Sequence, residues 1–348
     1  MSPDAVARRG EGLVSVRVET VDGPYFEDLH HGQRFGNSPA RTLTEGLAAA
    51  HQAVVGCRSP LVLDHGLSRR VLGGEGVLAA PNLVWDVAIG QSTTATHTVV
   101  ANLFYRGVVF RRAPRLGDTL RTVTEVVGLR QNSRRPGRPA TGLAALRIST
   151  VDQDDRPILD FWRCAMLPLR DQAVETGHAD DLSVIGADPG RDEMAAVASG
   201  WDLASYRDAL PGRHFAGLAQ GDVFTVTGGD VVSSAPELAR LTLNVAKVHH
   251  DATAGDQGRL VYGGHTIGIA LHQAVRALPE LVTVVGWHGC DHLGPVREGD
   301  TLTSTVEVER TEPLARGGLV HLRSLVRSVR AGATPADVLD WRLVALFA

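Results

Sequence analysis

Cysteine is scarce in this 348-residue chain. The three present, Cys57, Cys164 and Cys290, are odd in number and far apart, which excludes a disulfide framework and points to free thiols in a reducing, cytoplasmic setting. Long apolar runs are missing too: no stretch approaches a membrane span, and residues 1–12 lack the apolar core of a signal peptide. No basic stripe or Lys/Arg run stands out, and the formal net charge is only −4, which argues against nucleic acid as a partner. The nucleophile elbow GxSxG, the P-loop and GxGxxG are absent; the turn at 73–76 is Gly-rich but has no following Lys, so it makes a poor phosphate cradle. What remains, with 43% apolar and 21% charged residues, is a globular chain long enough for two cores.

The chain repeats itself. Gly117-Asp118-Thr119-Leu120 recurs as Gly299-Asp300-Thr301-Leu302, an offset of 182 (299 − 117). Each Gly-Asp pair is a turn leading into an alternating run; in the second copy Leu302, Val306 and Val308 share a face. Phe26–Gly32 resembles Phe215–Gly221, each followed three residues later by Phe35 or Phe224, and ILDFWRCAML (158–167) resembles VLDWRLVALF (338–347). Collinear matches at this period mean a duplicated domain, not a solenoid. The expected organisation is an N-terminal extension over 1–22, a first domain over 23–170, an acidic Gly/Pro-containing linker over 171–200 crossing the surface with a short helix near Glu193–Ser199, and a second domain over 201–348.

Within the second copy, Ile267, Ala270, Leu271, Ala274, Val275 and Leu278 recur at helical spacing and predict a buried helix of about four turns, opened by Gly263-Gly264 and ended at Pro279. Strand candidates VTVVGWHG, DTLTSTVEVER and GLVHLRSLVRSV follow it, and the first copy offers HTVVANLFY, DTLRTVTEVVGL and GLAALRISTV. One helix wrapped by a curved antiparallel sheet, twice over, is an α+β layer architecture.

Those features, together with YFEDLHHGQRF, ARLTLNVAKVHHD, RLVYGGHTIGIA and HLGPVREGDT, resemble the MaoC-like (R)-specific enoyl-thioester hydratase/dehydratase family in its double hot-dog form, and most of all its mesaconyl-CoA hydratase (β-methylmalyl-CoA dehydratase) branch. The family's active half carries Asp-x-Asn-Pro-x-His with a further Asp two residues on. The second copy reads Asn244-Val245-Ala246-Lys247-Val248-His249-His250-Asp251, so His249 falls on the histidine, Asp251 on the trailing Asp, and Asn244 where most members have Asp. The first copy, 187 residues earlier, keeps Pro60 and Asp64 but has Cys57 and Val62 at the acid/base positions, so the resemblance makes it a non-catalytic half.

The resemblance implies reversible hydration of an α,β-unsaturated acyl thioester. His249 would be the acid/base, an imidazole being suited to proton transfer near neutral pH. Asn244, which cannot exchange protons there, would orient the water. Backbone N–H groups of Gly263 and Gly264 at the helix start would form the oxyanion hole. Tyr262, His265, His250, Asp251 and His292 are candidate pocket residues, with Asp251 also a candidate structural hydrogen bonder because Asp64 survives in the other half. The run His288–His292 contains ligand residue types, but alternating strand positions face opposite ways and no second cluster complements it, so no metal is expected. No cofactor is expected beyond the CoA or acyl-carrier-protein thioester that serves as substrate. Two fused copies already satisfy the pairing of single hot dogs, which leaves a monomer or a homodimer. Other readings on the same scaffold are a secondary-metabolism enzyme adding an amine to a carrier-bound enoyl thioester, a thioesterase, and an acyl-thioester-binding protein without catalysis.

Overall fold

The computed structural model describes residues 21–74, 76–253, 258–330 and 332–348; the extension expected over 1–22 falls almost wholly outside them. The first half runs β1 (Arg34–Phe35), β2 (Arg41–Thr42), α1 (Glu45–Val55), α2 (Pro60–Leu63), α3 (His65–Leu72), α4 (Pro81–Ser92), β3 (Ala101–Phe110), β4 (Thr119–Gln131), β5 (Thr141–Val151) and β6 (Pro157–Pro168). After α5 (Arg191–Ala195) and α6 (Leu203–Ala209), the second half runs β7 (Val223–Thr225), β8 (Asp230–Val231), α7 (Ala235–Leu241), α8 (Gly263–Ala277), β9 (Leu281–His292), β10 (Thr301–Pro313), β11 (Gly318–Val329) and β12 (Ala336–Phe347). Helices α4 and α8 begin 182 residues apart (263 − 81), as do β4 and β10 (301 − 119), matching the offset of the sequence repeat.

The two central helices are buried for a compositional reason. All twelve residues of α4, PNLVWDVAIGQS, are buried, and α8 buries eleven of its fifteen. A helix apolar around most of its circumference is stable only inside a core. Proline at the first position of α4 gives up an N–H that has no helical partner anyway.

The sheet is continuous through both halves, in the order β1-β4-β5-β6-β3-β9-β12-β11-β10-β7. Each half leaves one edge strand, β3 or β9, and these pair antiparallel with Tyr105 opposite Cys290 and Val109 opposite Gly286. That seam hides two edges that would otherwise present unpaired backbone groups. The halves repeat their detail as well as their order. Arg147 forks onto Asp160 at 3.2 and 2.7 Å, and Arg323 onto Asp340 at 2.9 and 2.7 Å.

The 171–200 segment is more than a surface crossing. Leu182 and Ile185 cover the outer face of the first sheet with Phe104, Leu143, Ala145 and Cys164, while Met194 and Val197 enter the main core. Gly128 makes room for this covering, since a Cβ there would stand 2.5 Å from Ile185 and 2.8 Å from Leu182. The short helix near 193–199 is α5 with a 3-10 turn at Ala196–Ala198.

The end of α4 bears directly on the loop after α7. A Cβ on Gly90 would lie 1.7 Å from the Thr242 carbonyl oxygen, and the Val245 N–H donates to the Thr93 hydroxyl at 2.9 Å. Backbone on both sides leaves no flexible side chain to give way. Gly90→Ala is therefore expected to lower the unfolding free energy by roughly 1–3 kcal/mol, read as a lower midpoint in urea; an unchanged midpoint would show that the two halves are not pressed together here.

Candidate active site

Asn244 enters the site on a strained turn. Leu243 sits at φ 63°, the left-handed region that an ordinary side chain seldom occupies. The turn is closed by the Asn244 N–H donating to the Ala239 carbonyl at 2.9 Å. The Asn244 side-chain oxygen accepts the Ala246 N–H at 2.9 Å, an Asx turn that fixes which end of the amide is which. Its Nδ2 is buried with no partner among the described residues, and Asn244 lines a cavity of about 810 Å³ between the halves. The amide thus offers two N–H donors to whatever fills that space.

His249 is oriented by its backbone neighbour. Nδ1–H donates to the Leu260 carbonyl at 2.9 Å, since a carbonyl can only accept. The proton is placed on Nδ1, and Nε2 keeps its lone pair. The ring packs edge-on against Tyr262, 5.6 Å between centroids. Burial drives its pKa down to about 4, against the raising effect of the Leu260 bond, so the imidazole is neutral at neutral pH and its Nε2 lone pair is free of a proton.

His292, at the end of β9, faces the same cavity. A Cβ on Gly263 would come within 2.6 Å of the His292 ring, so only glycine lets α8 start this close. Its Nε2 is buried and unpartnered among the described residues; burial first, and the neighbouring His249 second, push its pKa to about 4. The first turn of α8 brings backbone N–H groups with no intrahelical acceptor to this end of the cavity.

Other candidates lie elsewhere. Gly264 packs closely on its Cα side, where a Cβ would meet Asp86 at 1.9 Å and the Tyr262 ring at 2.4 Å. His265 is fully buried off the cavity, with both ring nitrogens unpartnered among the described residues, because on α8 it turns into the core. His250 serves the turn: its Nε2–H donates to the Asn244 carbonyl at 2.6 Å. Asp251 points away and accepts the Thr253 N–H and hydroxyl at 2.8 and 2.6 Å, and Lys247 stands 3.7 Å from its other oxygen. Asp64, its counterpart, caps α3 through the Leu67 N–H. The residues of 288–292 also diverge: His288 stacks on His321, Cys290 is buried in the core, and only His292 faces the cavity. Among the described residues no group of three or more His, Cys, Asp or Glu is arranged to hold a metal ion, and no helix is long and apolar enough to cross a membrane.

Two charged residues were not singled out from the sequence. Asp86 on α4 receives a 2.8 Å hydrogen bond from His51, both fully buried, and its other oxygen lies against Gly264. Arg163 on β6 lines the cavity. Asp86 is the lone charge of PNLVWDVAIG, and Arg163 shares ILDFWRCAML only with Asp160, which is the signal that could have marked them.

No family model matches the sequence. The fold is that of a conserved hypothetical protein of Mycobacterium tuberculosis with a double hot-dog fold: 54% identity over 94% of this chain and 99% of that one, TM-score 0.88. A MaoC domain protein dehydratase of Chloroflexus aurantiacus is 25% identical over 95% of this chain and 99% of its own, TM-score 0.81. The chain has the double hot-dog fold and is similar to the MaoC-like dehydratases, which are hydro-lyases. Mesaconyl-CoA hydratase of Cereibacter sphaeroides is 27% identical over 327 residues, 91% of this chain and 92% of the relative.

This MaoC-like site stores an acid sensitivity. His249, His265 and His292 each have a pKa lowered to about 4, against about 6.5 in an unfolded chain. Between those values the unfolded state binds more protons. The stability they contribute is fully present above about pH 6.5 and is lost as pH falls toward 4, on the order of 1–3 kcal/mol for each. Denaturant titrations at pH 7.5, 6 and 5 are expected to show falling stability; a flat profile would mean that these rings take up protons as readily in the folded protein as in the unfolded chain.

Proposed function

We propose that this chain reversibly adds water across the double bond of an α,β-unsaturated acyl thioester, with the acyl group in the cavity between the halves. The observation that carries the reading is the pairing of a free imidazole lone pair with a free amide donor in one buried space: Nε2 of His249 and Nδ2 of Asn244. A water between them would give a proton to Nε2 and accept a hydrogen bond from Nδ2. Such a water is held and polarised from both sides.

In the hydration direction the water oxygen bonds to Cβ as its proton passes to His249. The π electrons move toward the thioester carbonyl. The backbone N–H of Gly263 at the α8 start meets the growing negative charge, with the helix dipole adding to it. The His249 imidazolium then returns the proton to Cα, which balances the addition and restores the neutral ring. No carboxylate is required at position 244 for this cycle, only a group that orients water. Since one relative is a mesaconyl-CoA hydratase, a CoA-linked thioester is the first carrier to test, and mesaconyl-CoA the first substrate.

The decisive assay follows the enoyl-thioester absorbance and free thiol together, using mesaconyl-CoA and crotonyl-CoA. Loss of absorbance with the thioester intact is expected; thiol release without hydration would make the protein a thioesterase instead. His249→Ala is expected to lower kcat/KM by about 10²–10⁴-fold, and a variant of near-normal activity would remove His249 from the reaction. Asn244→Asp sets a carboxylate beside His249, which favours the imidazolium. The acid limb of the pH profile is expected to move to higher pH; an unmoved limb would separate residue 244 from the imidazole.

A further inference from the structure

Arg163 is 3% exposed and sits in the wall of the cavity, yet among the described residues no carboxylate lies within ion-pair distance of it. One nitrogen, Nη2, donates to the Ser92 carbonyl at 3.2 Å and to the Thr96 hydroxyl at 2.8 Å. Nε is buried with no partner among the described residues. A guanidinium taken out of water and left without its counter-charge is costly.

The duplication shows that the fold does not need this charge. Arg163 pairs across the sheet with Leu146, and the same register in the second half pairs Leu343 with Leu322. The flanking Arg147–Asp160 and Arg323–Asp340 forks anchor that equivalence. Leu343 is fully buried and packs as an ordinary core side chain. Two copies of one scaffold thus put leucine and arginine at one inward-facing position, and only the arginine lines the site.

We propose that Arg163 is the residue that receives the free carboxylate of a diacid acyl chain, such as that of mesaconyl-CoA, and so selects diacid over neutral thioesters. The proposal rests on the reading of the cavity as an acyl-thioester site and adds which residue reads the far end of the acyl group. The guanidinium charge attracts a carboxylate, and Arg163 is already held by Ser92 and Thr96 through Nη2, so little ordering accompanies capture. The half without the acid/base pair then supplies the specificity element, and the half with it supplies the reaction.

Binding of non-reacting saturated thioesters separates this assignment from the chemistry. Titration calorimetry on the full chain would compare succinyl-CoA with butyryl-CoA, and glutaryl-CoA with valeryl-CoA. At least one diacid is expected to bind about 10–100-fold more tightly than its neutral partner. Arg163→Leu, which copies Leu343, is expected to erase that preference while leaving butyryl-CoA affinity within about threefold. Arg163→Lys, which keeps the charge, is expected to retain part of it. Equal or undetectable affinity within both pairs in the wild type overturns the proposal. So does an Arg163→Leu protein that keeps the preference, or one that loses affinity for all four ligands alike, the result of a purely structural arginine. Diacid-selective binding without hydration of fumaryl-CoA, mesaconyl-CoA or crotonyl-CoA would remove the proposed reaction and leave the Arg163 assignment standing.

Discussion

The antiparallel seam between β3 and β9 is the constraint on which the rest depends. It joins two sheets edge to edge and so sets α4 and α8 in one shared core. With that seam formed, the C-terminal end of α4 meets the loop carrying Asn244, and Gly90 lets backbone touch backbone there. The cavity lies at this junction, walled by Arg163 and Tyr105 from one half and by His249, Asn244, Gly263 and His292 from the other. Neither half could enclose it alone. A single core of this kind places a site at its internal boundary, where two surfaces that are each complete on the sheet side remain unequal on the helix side.

Duplication followed by divergence gives the molecule an internal control. The two halves agree at the Gly-Asp turns, in the starts of α4 and α8, and in the arginine–aspartate forks, all of which serve the scaffold. They disagree at Cys57 against Asn244, Val62 against His249, and Arg163 against Leu343. Asp64 and Asp251 show the limit of this logic. Both are retained, yet Asp64 caps a helix and Asp251 closes a turn, so retention here reflects loop geometry and not proton transfer.

The sequence made the architecture legible because its signals are periodic. The repeat at 182 residues and the helical spacing from Ile267 to Leu278 depend only on order along the chain, and the α8 helix and the β4/β10 pair stand where they imply. Local turns were harder. Asn244 and His249 can be named from spacing, but that the Asn244 oxygen is consumed by Ala246, leaving only donors for a ligand, requires coordinates. His265 lies two residues beyond Gly263, and a rotation of about 100° per residue carries its side chain out of the cavity. Arg163 and Asp86 were hidden for another reason. A charged letter in an apolar run becomes informative only when its side chain is known to face inward, and β6 and α4 settle that through pairing and burial.

The electrostatics of the cavity also account for the asparagine. Burial keeps His249 and His292 neutral, Asn244 is neutral by nature, and the charged residues of the lining, Arg163, Lys247 and Arg297, are all cationic. An aspartate at position 244 would bring a second anion into the same low-dielectric space as a substrate carboxylate. Like charges are poorly screened there, and the repulsion would weigh against binding the very ligand that Arg163 selects. Asparagine holds water by hydrogen bonding and adds no charge. On this reading, the substitution that departs from the usual family motif and the unpaired arginine in the opposite half are two parts of one adaptation to an anionic acyl group.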